Sequence, residues 1–447
     1  TALDIMIVQS MNPHMFLNQW IYRFLNRTNI LRFCARCLYP EKHPLHLILD
    51  DEGVCSGCRV HEEKDELDWH ERFEKLKKTV APYRSLSGKN YDCIVPVSGG
   101  RESYFVVHVV KNQLNLNPLL VSFNKQYNSK VGIRNLESLR TKFNCDLMTQ
   151  TVSPMKTKKL VRSTLHELGS IYCHNHAGRT AYPVQLATRL RIPLIIWGVH
   201  QGCDQVGMFS HLDEVEMTRK YRKEHDLMGY EIHDLVKLDS TLQKESWDAF
   251  VYPEDSDIAA VGVSRIYLSN FIRWDAKSQH EQMIRLYNYE TSVQNRTFDS
   301  YEDVDCLFYS DVHDYIKFLK CGFGKVTDHA SREIRLKRIS RQEGIELVNA
   351  YQFRNAKNLD VFLEWLNISR DEFNEYVKRF RNQSFWEEIE GQWHLKHDVV
   401  RQPLTVTHQN AALERENVDT TYRINIKKSL PFKESKPVLM MRGFVPE

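Results

Sequence analysis

Ser98-Gly99-Gly100-Arg101-Glu102-Ser103 is the stretch of this chain that decides its fold class. The apolar segment 91–97 precedes it, and a segment rich in valine and aromatic residues, 103–114, follows it. This order predicts a buried strand, a glycine loop and a helix. The glycines permit close approach to the backbone, the helix N-terminus offers free N–H groups to an anion, and the serine hydroxyls are further donors. The loop therefore predicts a phosphate-binding site.

Strands and helices alternate after this loop. Apolar runs predict strands at 119–123, near 146–151 and at 193–197, with helical patterns at 131–143, 154–168 and 182–190. Such alternation is typical of an α/β fold with a doubly wound parallel sheet that helices cover on both faces. Ligands of these sheets bind beyond the carboxyl ends of the strands. We therefore expect the loops after Val97, Phe123 and Trp197 to surround one crevice.

Four of the ten cysteines form two pairs, Cys34-x-x-Cys37 and Cys55-x-x-Cys58. Between the pairs, the apolar segment 45–49 and the turn 50–53 predict a hairpin, which is the layout of a zinc ribbon. Four thiolates fill the tetrahedral coordination of zinc, so we predict a structural zinc ion. Reduced thiols in a small hairpin and an iron–sulfur centre are the alternatives. The nearby histidines are predicted to be surface residues, namely His43, His46 and His61.

The sequence divides into five regions. We predict an N-terminal extension at 1–33, a zinc ribbon with a connecting helix at 34–82, an α/β domain at 88–235, a mostly helical C-terminal region at 236–395 and an extended tail at 396–447. Capping boxes at Ser340-x-x-Glu343 and Ser369-x-x-Glu372 open two of the C-terminal helices. In the extension, residues 15–22 predict a short amphipathic helix that docks on the body, with membrane contact as the alternative.

Charge and hydropathy argue against two classes of protein. A formal net charge of +3 gives little support for a nucleic-acid binder, so a nucleic-acid partner is not expected. There is no apolar run long enough to span a bilayer, and residues 1–33 lack the pattern of a cleaved leader. Together these observations predict a cytoplasmic protein.

The loop resembles that of the PP-loop ATP pyrophosphatase superfamily, which has a HUP-like fold and typically carries aspartate where Glu102 stands. Glutamate keeps the carboxylate but is one methylene longer. Other segments restrict the resemblance to one family within this superfamily. They are the two cysteine pairs, Ile195–Gly198, Gly322–Gly324 and Thr327–Arg332. Together with the loop, they are similar to the N-acetyl sugar amidotransferases over about residues 33 to 355.

This resemblance implies an ATP-dependent ligase of bacterial surface polysaccharide, O-antigen lipopolysaccharide or nonulosonic acid biosynthesis. Such an enzyme converts an acetamido group of a nucleotide-activated N-acetyl sugar to an acetamidino group. The reaction passes through an adenylated imidate, releasing first pyrophosphate and then AMP. Positioning and charge stabilisation would supply most of the catalysis.

The resemblance also implies roles for individual residues. The pyrophosphate portion of ATP would be held by Ser98, Gly99, Gly100 and Ser103. Arg101 would neutralise its charge, and Glu102 would hold Mg²⁺. The rest of the nucleotide is expected between one edge at Ser122 and Phe123 and an opposite wall at Gly198.

Two histidine-rich segments are the candidates for contact with the sugar substrate. Residues 172–179 are predicted as a loop before a helix, and residues 200–204 follow the last strand. His174 and His200 would assist proton removal as ammonia adds, and Arg179 would bind a carboxylate or phosphate of the sugar. The alternative interpretation is that these side chains cap a helix and fill a solvated loop.

The reaction needs a source of ammonia. The sequence contains no Gly-x-Cys-x-Gly nucleophile elbow, and Thr1 stands where an N-terminal nucleophile would have cysteine. We therefore expect a separate glutaminase subunit, which the resemblance also implies.

Two other classes of function stay open. A tRNA-thiolating PP-loop enzyme would adenylate a base carbonyl instead of an amide. It would need a cysteine in the crevice, for which Cys173 and Cys203 are the candidates. A noncatalytic zinc-ribbon binding module would leave the phosphate loop without a role.

Overall fold

The computed structural model describes residues 31–400 of the 447-residue chain. The predicted amphipathic helix at 15–22 and the tail beyond residue 400 lie outside the described residues.

The centre of the fold is a five-stranded sheet in the order β3-β2-β1-β4-β5, with every neighbouring pair parallel. Its strands are β1 Cys93–Pro96, β2 Pro118–Phe123, β3 Leu147–Gln150, β4 Leu194–Trp197 and β5 Ser264–Tyr267. The α/β class and the parallel sheet are thereby confirmed. Strand β5 comes from the region predicted as helical and pairs with β4 through the Leu194–Ser264 register. The boundaries between the five regions stay predictions.

Helices connect and cover the strands. In chain order they are α1 Ser56–Glu66, α2 Trp69–Val80, α3 Arg101–His108, α4 Lys130–Lys142, α5 Pro154–Leu168, α6 Cys173–Leu190, α7 Gln201–Asp204, α8 Arg219–Tyr221, α9 Ile232–Leu238, α10 Asp255–Val261, α11 Ala276–Tyr287, α12 Leu307–Cys321, α13 Lys325–Arg335, α14 Arg341–Tyr351, α15 Leu359–Leu366 and α16 Arg370–Lys378. Short 3₁₀ turns occur at Ala81–Tyr83, His211–Asp213, Ser240–Leu242, Asp248–Phe250, Leu268–Asn270 and Val304–Cys306. Single π turns extend α3 and α8, at Val109–Gln113 and Arg222–Asp226.

Both faces of the three central strands, β2, β1 and β4, are buried against helices. Because successive strand residues point to opposite faces, Val95 packs with α3 and α11 while its neighbour Ile94 packs with α6. Burying each large aliphatic side chain contributes about 1.5–3 kcal/mol to the stability of the fold. These two cores therefore fix the positions of the strands and of their carboxyl ends. The complete doubly wound connectivity stays a prediction.

The cysteine-rich segment is less regular than the predicted hairpin. It has two isolated antiparallel bridges, Phe33 with Pro40 and Leu49 with Cys55. Helix α1 begins at the residue after Cys55, so the second cysteine pair lies at a helix N-terminus. In place of the single connecting helix predicted within 34–82, the structure has two helices, α1 and α2, because the side chain of Asp68 caps a new start at α2.

The histidines of this segment are not all at the surface. His46 is exposed as predicted, but His43 and His61 are buried, so the prediction for these two was wrong. The His43 ring packs against Tyr39 and Phe323, with centroids 4.9 and 5.3 Å away. A tertiary contact with a residue nearly 300 positions later in the sequence is not visible in local composition.

The C-terminal region is mostly helical, as predicted. Both capping boxes are present: Ser340 Oγ accepts from the Glu343 N–H at 3.2 Å, and Ser369 Oγ accepts from the Glu372 N–H at 3.1 Å. The region closes with an antiparallel hairpin, β6 Trp386–Ile389 and β7 Gln392–Leu395.

Candidate functional site

A cavity of about 320 Å³ opens at the carboxyl ends of the central strands. Ser98 follows β1, Phe123 ends β2 and Gly198 follows β4, and all three line the cavity. The expected meeting of these three loops is therefore confirmed. Helix α3 points its N-terminus at the same space, which favours an anion there.

The glycine loop has the geometry that its composition predicts. Gly99 has a φ of +81°, and a Cβ there would lie 2.7 Å from the carbonyl oxygen of Gly132. Across the loop, Ser103 Oγ accepts from the Ser98 N–H at 2.9 Å. Ser98, Gly100 and Ser103 line the cavity, whereas Gly99 makes the turn without lining it.

Glu102 joins the glycine loop to the end of β4. Its Oε1 accepts from the Val199 N–H at 2.7 Å, and its side chain lines the cavity. Burial raises the pKa of Glu102, and the positive charge of Arg101 only partly offsets this. A Cβ at Gly198 would overlap the carboxylate, so a larger residue at this position would require the Glu102 side chain to move.

Replacing Gly198 by Ala should lower the free energy of unfolding by about 1–3 kcal/mol, because the new methyl group and the Glu102 carboxylate compete for one space. Denaturant unfolding measures the change. The double variant Gly198→Ala, Glu102→Asp serves as the control, since the shorter side chain makes room. Equal stability of the wild type and the single variant would show that this close approach is unimportant.

Arg101 is buried at the cavity wall, with 5% of its surface exposed. Its Nε and Nη2 donate to Glu302 Oε1 at 3.1 and 2.6 Å. Its Nη1 has no hydrogen-bond partner among residues 31–400. Burial alone would lower the pKa of Arg101, but the carboxylates of Glu302 and Glu102 raise it. The guanidinium is therefore charged and keeps one donor for a ligand.

A C-terminal segment that sequence reasoning missed closes this side of the cavity. Glu302, Asp303, Asp305 and Cys306 all line it, and Asp305 forms an ion pair with Lys125. The contact is close, because a Cβ at Gly132 would overlap the backbone of Asp305. The one local signal was the density of acidic residues between 299 and 305.

The predicted loop at 172–179 is helical, since α6 begins at Cys173, and this prediction was wrong. Gly178 lies inside α6 and leaves space for the Phe123 ring, which a Cβ would overlap. His174 is 1% exposed, and its Nδ1 lies 3.2 Å from the carbonyl oxygen of Ile171. Burial lowers the pKa of His174 to about 4, and the side chain does not line the cavity.

Arg179, one turn further along α6, does line the cavity. Its Nη2 lies 3.0 Å from His176 Nδ1. Three cations line the cavity within residues 31–400, and Arg101 and Lys125 are both paired with carboxylates. Arg179 forms no ion pair in the described part of the chain, although its charge helps to lower the pKa of Asp226, which also lines the cavity. It is therefore the cavity cation that is most available to an anionic ligand.

Two further predicted site residues do not line the cavity. His200 is 0% exposed, and its Nδ1 accepts from the Cys203 N–H at 3.1 Å, which makes it the cap of α7. Burial lowers the pKa of His200 to about 3, so the ring is neutral near pH 7. Ser122 lies between Val121 and Phe123 on β2, and strand alternation turns it away from the cavity that its neighbours line.

The four cysteines Cys34, Cys37, Cys55 and Cys58 converge in a buried cluster, with all sulfur atoms within 4.8 Å of one another. The Cys34–Cys58 and Cys37–Cys55 sulfur separations are 3.9 and 3.6 Å. Tetrahedral zinc with Zn–S bonds of about 2.3 Å would separate its sulfur ligands by about 3.8 Å. The Cys55 N–H also donates to Cys34 Sγ at 3.2 Å, as expected for a thiolate acceptor. The donor set fits zinc.

The C-terminal part of the chain is similar to a known protein family. Residues 295–399 match the family model described as "LPS biosynthesis protein WbpG-like, C-terminal domain". The matched region contains Glu302, Asp303, Asp305 and Cys306, so it supplies one wall of the cavity.

Two individual proteins are also similar to this chain. Uncharacterized protein MJ1599 of Methanocaldococcus jannaschii is 28% identical over 118 residues, which are 26% of this chain and 41% of that protein. The similarity thus spans less than half of that relative. The solved structure of NMN synthetase from Francisella tularensis aligns with a TM-score of 0.26 and 14% identity, over 48% of this chain and 86% of that chain.

Within residues 31–400, no helix combines the length and the apolar character that crossing a bilayer requires.

Proposed function

We propose that this chain is an ATP-dependent amidotransferase of the PP-loop ATP pyrophosphatase superfamily that acts on a nucleotide-activated N-acetyl sugar. The observation that carries the proposal is a shared cavity. The Ser98–Ser103 loop lines one side of it, and the region that matches an LPS biosynthesis domain lines another. A phosphate-binding loop and a sugar-pathway domain in one cavity fit an enzyme that activates a sugar with ATP.

The proposed chemistry begins with activation of the amide. The carbonyl oxygen of the acetamido group attacks the α-phosphate of ATP, a new O–P bond forms, and the bond to pyrophosphate breaks. Ammonia then adds to the imidate carbon and loses a proton, and AMP leaves with the oxygen, giving an acetamidino group. These reaction steps need no protein nucleophile, so the chain acts mainly by positioning the reactants and by stabilising charge.

The cavity residues suit these tasks. Ser98, Gly100, Ser103 and the N-terminus of α3 would hold the pyrophosphate portion, and Arg101 Nη1 offers a free donor to its developing charge. The Glu102 carboxylate would hold Mg²⁺, which supplies charge neutralisation at the phosphates. Because His174 and His200 lie outside the cavity wall, we no longer assign proton removal to them. We retain a separate glutaminase subunit as the proposed source of ammonia.

Replacing Arg179 by Met should raise the KM for the nucleotide-activated sugar by about 10- to 100-fold, because a charge-assisted contact to an anionic group is lost. The KM for ATP should change much less. Arg189→Met is the matched control, since Arg189 is exposed in the last turn of the same helix. Steady-state kinetics with each substrate varied in turn measures both constants. An unchanged sugar KM would remove Arg179 from the site.

A tRNA-thiolating enzyme is the second candidate, and Cys306 is the observation that favours it. This thiol lines the cavity, 3.3 Å from the Tyr172 hydroxyl, whereas Cys173 and Cys203 do not line it. Burial raises the pKa of Cys306 to about 11, however, so the thiol is protonated near neutral pH and a poor sulfur carrier.

One experiment separates the two candidates. Pyrophosphate release from ATP is measured with nucleotide-activated N-acetyl sugars and ammonium, and separately with unmodified tRNA and a sulfur donor. If the chain is an amidotransferase, we expect pyrophosphate release only with the sugars. The product should be one mass unit lighter than the sugar substrate, because an oxygen atom is exchanged for NH. Release only with tRNA would replace our proposal by the alternative.

A further inference from the structure

Arg335 connects three parts of the molecule that are distant in sequence. It ends α13, within the LPS biosynthesis match, and is 7% exposed. Its Nε donates to Cys58 Sγ at 3.4 Å and its Nη2 to Cys55 Sγ at 3.5 Å. Its Nη1 donates to the carbonyl oxygens of Asp204 and Gln205, at 3.2 and 2.7 Å. A single guanidinium thus contacts the cysteine cluster and the end of α7.

The charge at this contact suits a metal centre. Four thiolates around a divalent cation leave a net charge of −2, which is costly to bury without a counter-charge. Arg335 brings a positive charge and N–H donors directly to two of the sulfur atoms. The fit is close, because a Cβ at Gly57 would overlap the guanidinium.

The other side of Arg335 leads to the cavity. The last carbonyl groups of a helix lack hydrogen-bond donors within the helix. At the end of α7, Arg335 supplies the missing donor. Gln201, at the start of this one-turn helix, lines the cavity. Val199, two residues earlier, donates to Glu102 of the glycine loop. Four residues therefore separate the Arg335 contact from the bond that positions Glu102.

We propose that Arg335 is a positioning residue that couples metal binding at the cysteine cluster to nucleotide binding in the cavity. The metal and the guanidinium hold α7 in place, and α7 holds the wall at Gln201 and Val199. Because coupling between two sites is reciprocal, bound nucleotide strengthens retention of the metal by the same factor. The nucleotide half of this inference rests on the proposed function, and the metal half does not.

The test compares Arg335→Met, Arg335→Lys and the wild type, each loaded with zinc. Methionine keeps an apolar stem but removes the donors and the guanidinium that lies over the Tyr39 ring, and lysine keeps the charge without the fork. Lys337→Met is the control, since this side chain near the same helix end is 81% exposed. Zinc affinity is measured at equilibrium by competition with a chromogenic chelator, with and without ATP, and ATP affinity is measured by calorimetry.

We expect Arg335→Met to bind zinc about 10- to 100-fold more weakly, as is typical when an outer-shell partner of a metal site is lost. Arg335→Lys should be intermediate and Lys337→Met unchanged. ATP should raise the zinc affinity of the wild type and do so much less in Arg335→Met. Equal zinc affinities of all variants would overturn the metal half. ATP binding that leaves the zinc affinity of the wild type unaltered would overturn the coupling, and failure of the wild type to bind ATP would overturn the proposed function as well.

Discussion

Replacing Glu102 by Gln will reduce pyrophosphate release from ATP by about 100-fold or more while leaving the protein folded. Glutamine keeps an oxygen that accepts from the Val199 N–H, and it fills the same space beside Gly198. The substitution therefore removes only the negative charge of the carboxylate that we propose binds Mg²⁺. Quenched-flow measurement of pyrophosphate, with the melting temperature as a check on folding, decides the matter.

The control for this variant is Glu74→Gln, which changes a partly exposed carboxylate on α2 that forms an ion pair with Lys77. It should leave turnover unchanged.

The pH dependence of activity is a second test of the role of Glu102. Burial raises the pKa of Glu102, so as the pH falls its charge is lost earlier than that of an ordinary glutamate. Wild-type activity should decline on that acidic limb. Full activity of Glu102→Gln would remove Glu102 as a metal ligand.

Replacing Cys37 by Ser will produce protein with substoichiometric zinc and a melting temperature lower by about 10 °C or more. A structural zinc site contributes its binding free energy to folding, and Cys37 is fully buried among the other three sulfur atoms. Metal analysis and calorimetry measure the two effects.

Cys145→Ser is the matched control, because Cys145 is half-buried, lies outside the cluster and donates only to the carbonyl oxygen of Phe143. A serine hydroxyl can make the same bond, so zinc content and stability should stay at the wild-type level. If Cys37→Ser kept its zinc and its melting temperature, the cluster would not be a structural metal site.

Features written in local sequence were predictable. Apolar runs identified β1, β2 and β4, and helix α5 at Pro154–Leu168 has the bounds that the pattern predicted. The Cys-x-x-Cys spacing identified the four cysteines that converge in the buried cluster. In each case one short segment carries the whole signal, as hydrophobic period, turn residue or ligand spacing.

Features that depend on distant contacts were not predictable. Strand β5, Ser-Arg-Ile-Tyr, is short and mixed in polarity, and pairing with β4 defines it. Helix α6 begins at Cys173 although it contains Gly178, a weak helix former whose missing side chain leaves room for the Phe123 ring. His200 was predicted to be catalytic because it follows the carboxyl end of β4, where ligands of such sheets bind. Its ring is instead buried and caps α7. The acidic wall at 302–306 reaches the cavity only through tertiary folding.

The contact between Gly132 and Asp305 has a consequence for anyone who recombines this protein with its relatives. Helix α4 and the C-terminal segment meet so closely that a single methyl group at position 132 would force them apart. A hybrid that joins the α/β part of one chain to the C-terminal part of another must therefore inherit both surfaces from matching parents. Where they do not match, the cavity of the hybrid would lose a wall even though every residue of the glycine loop was retained.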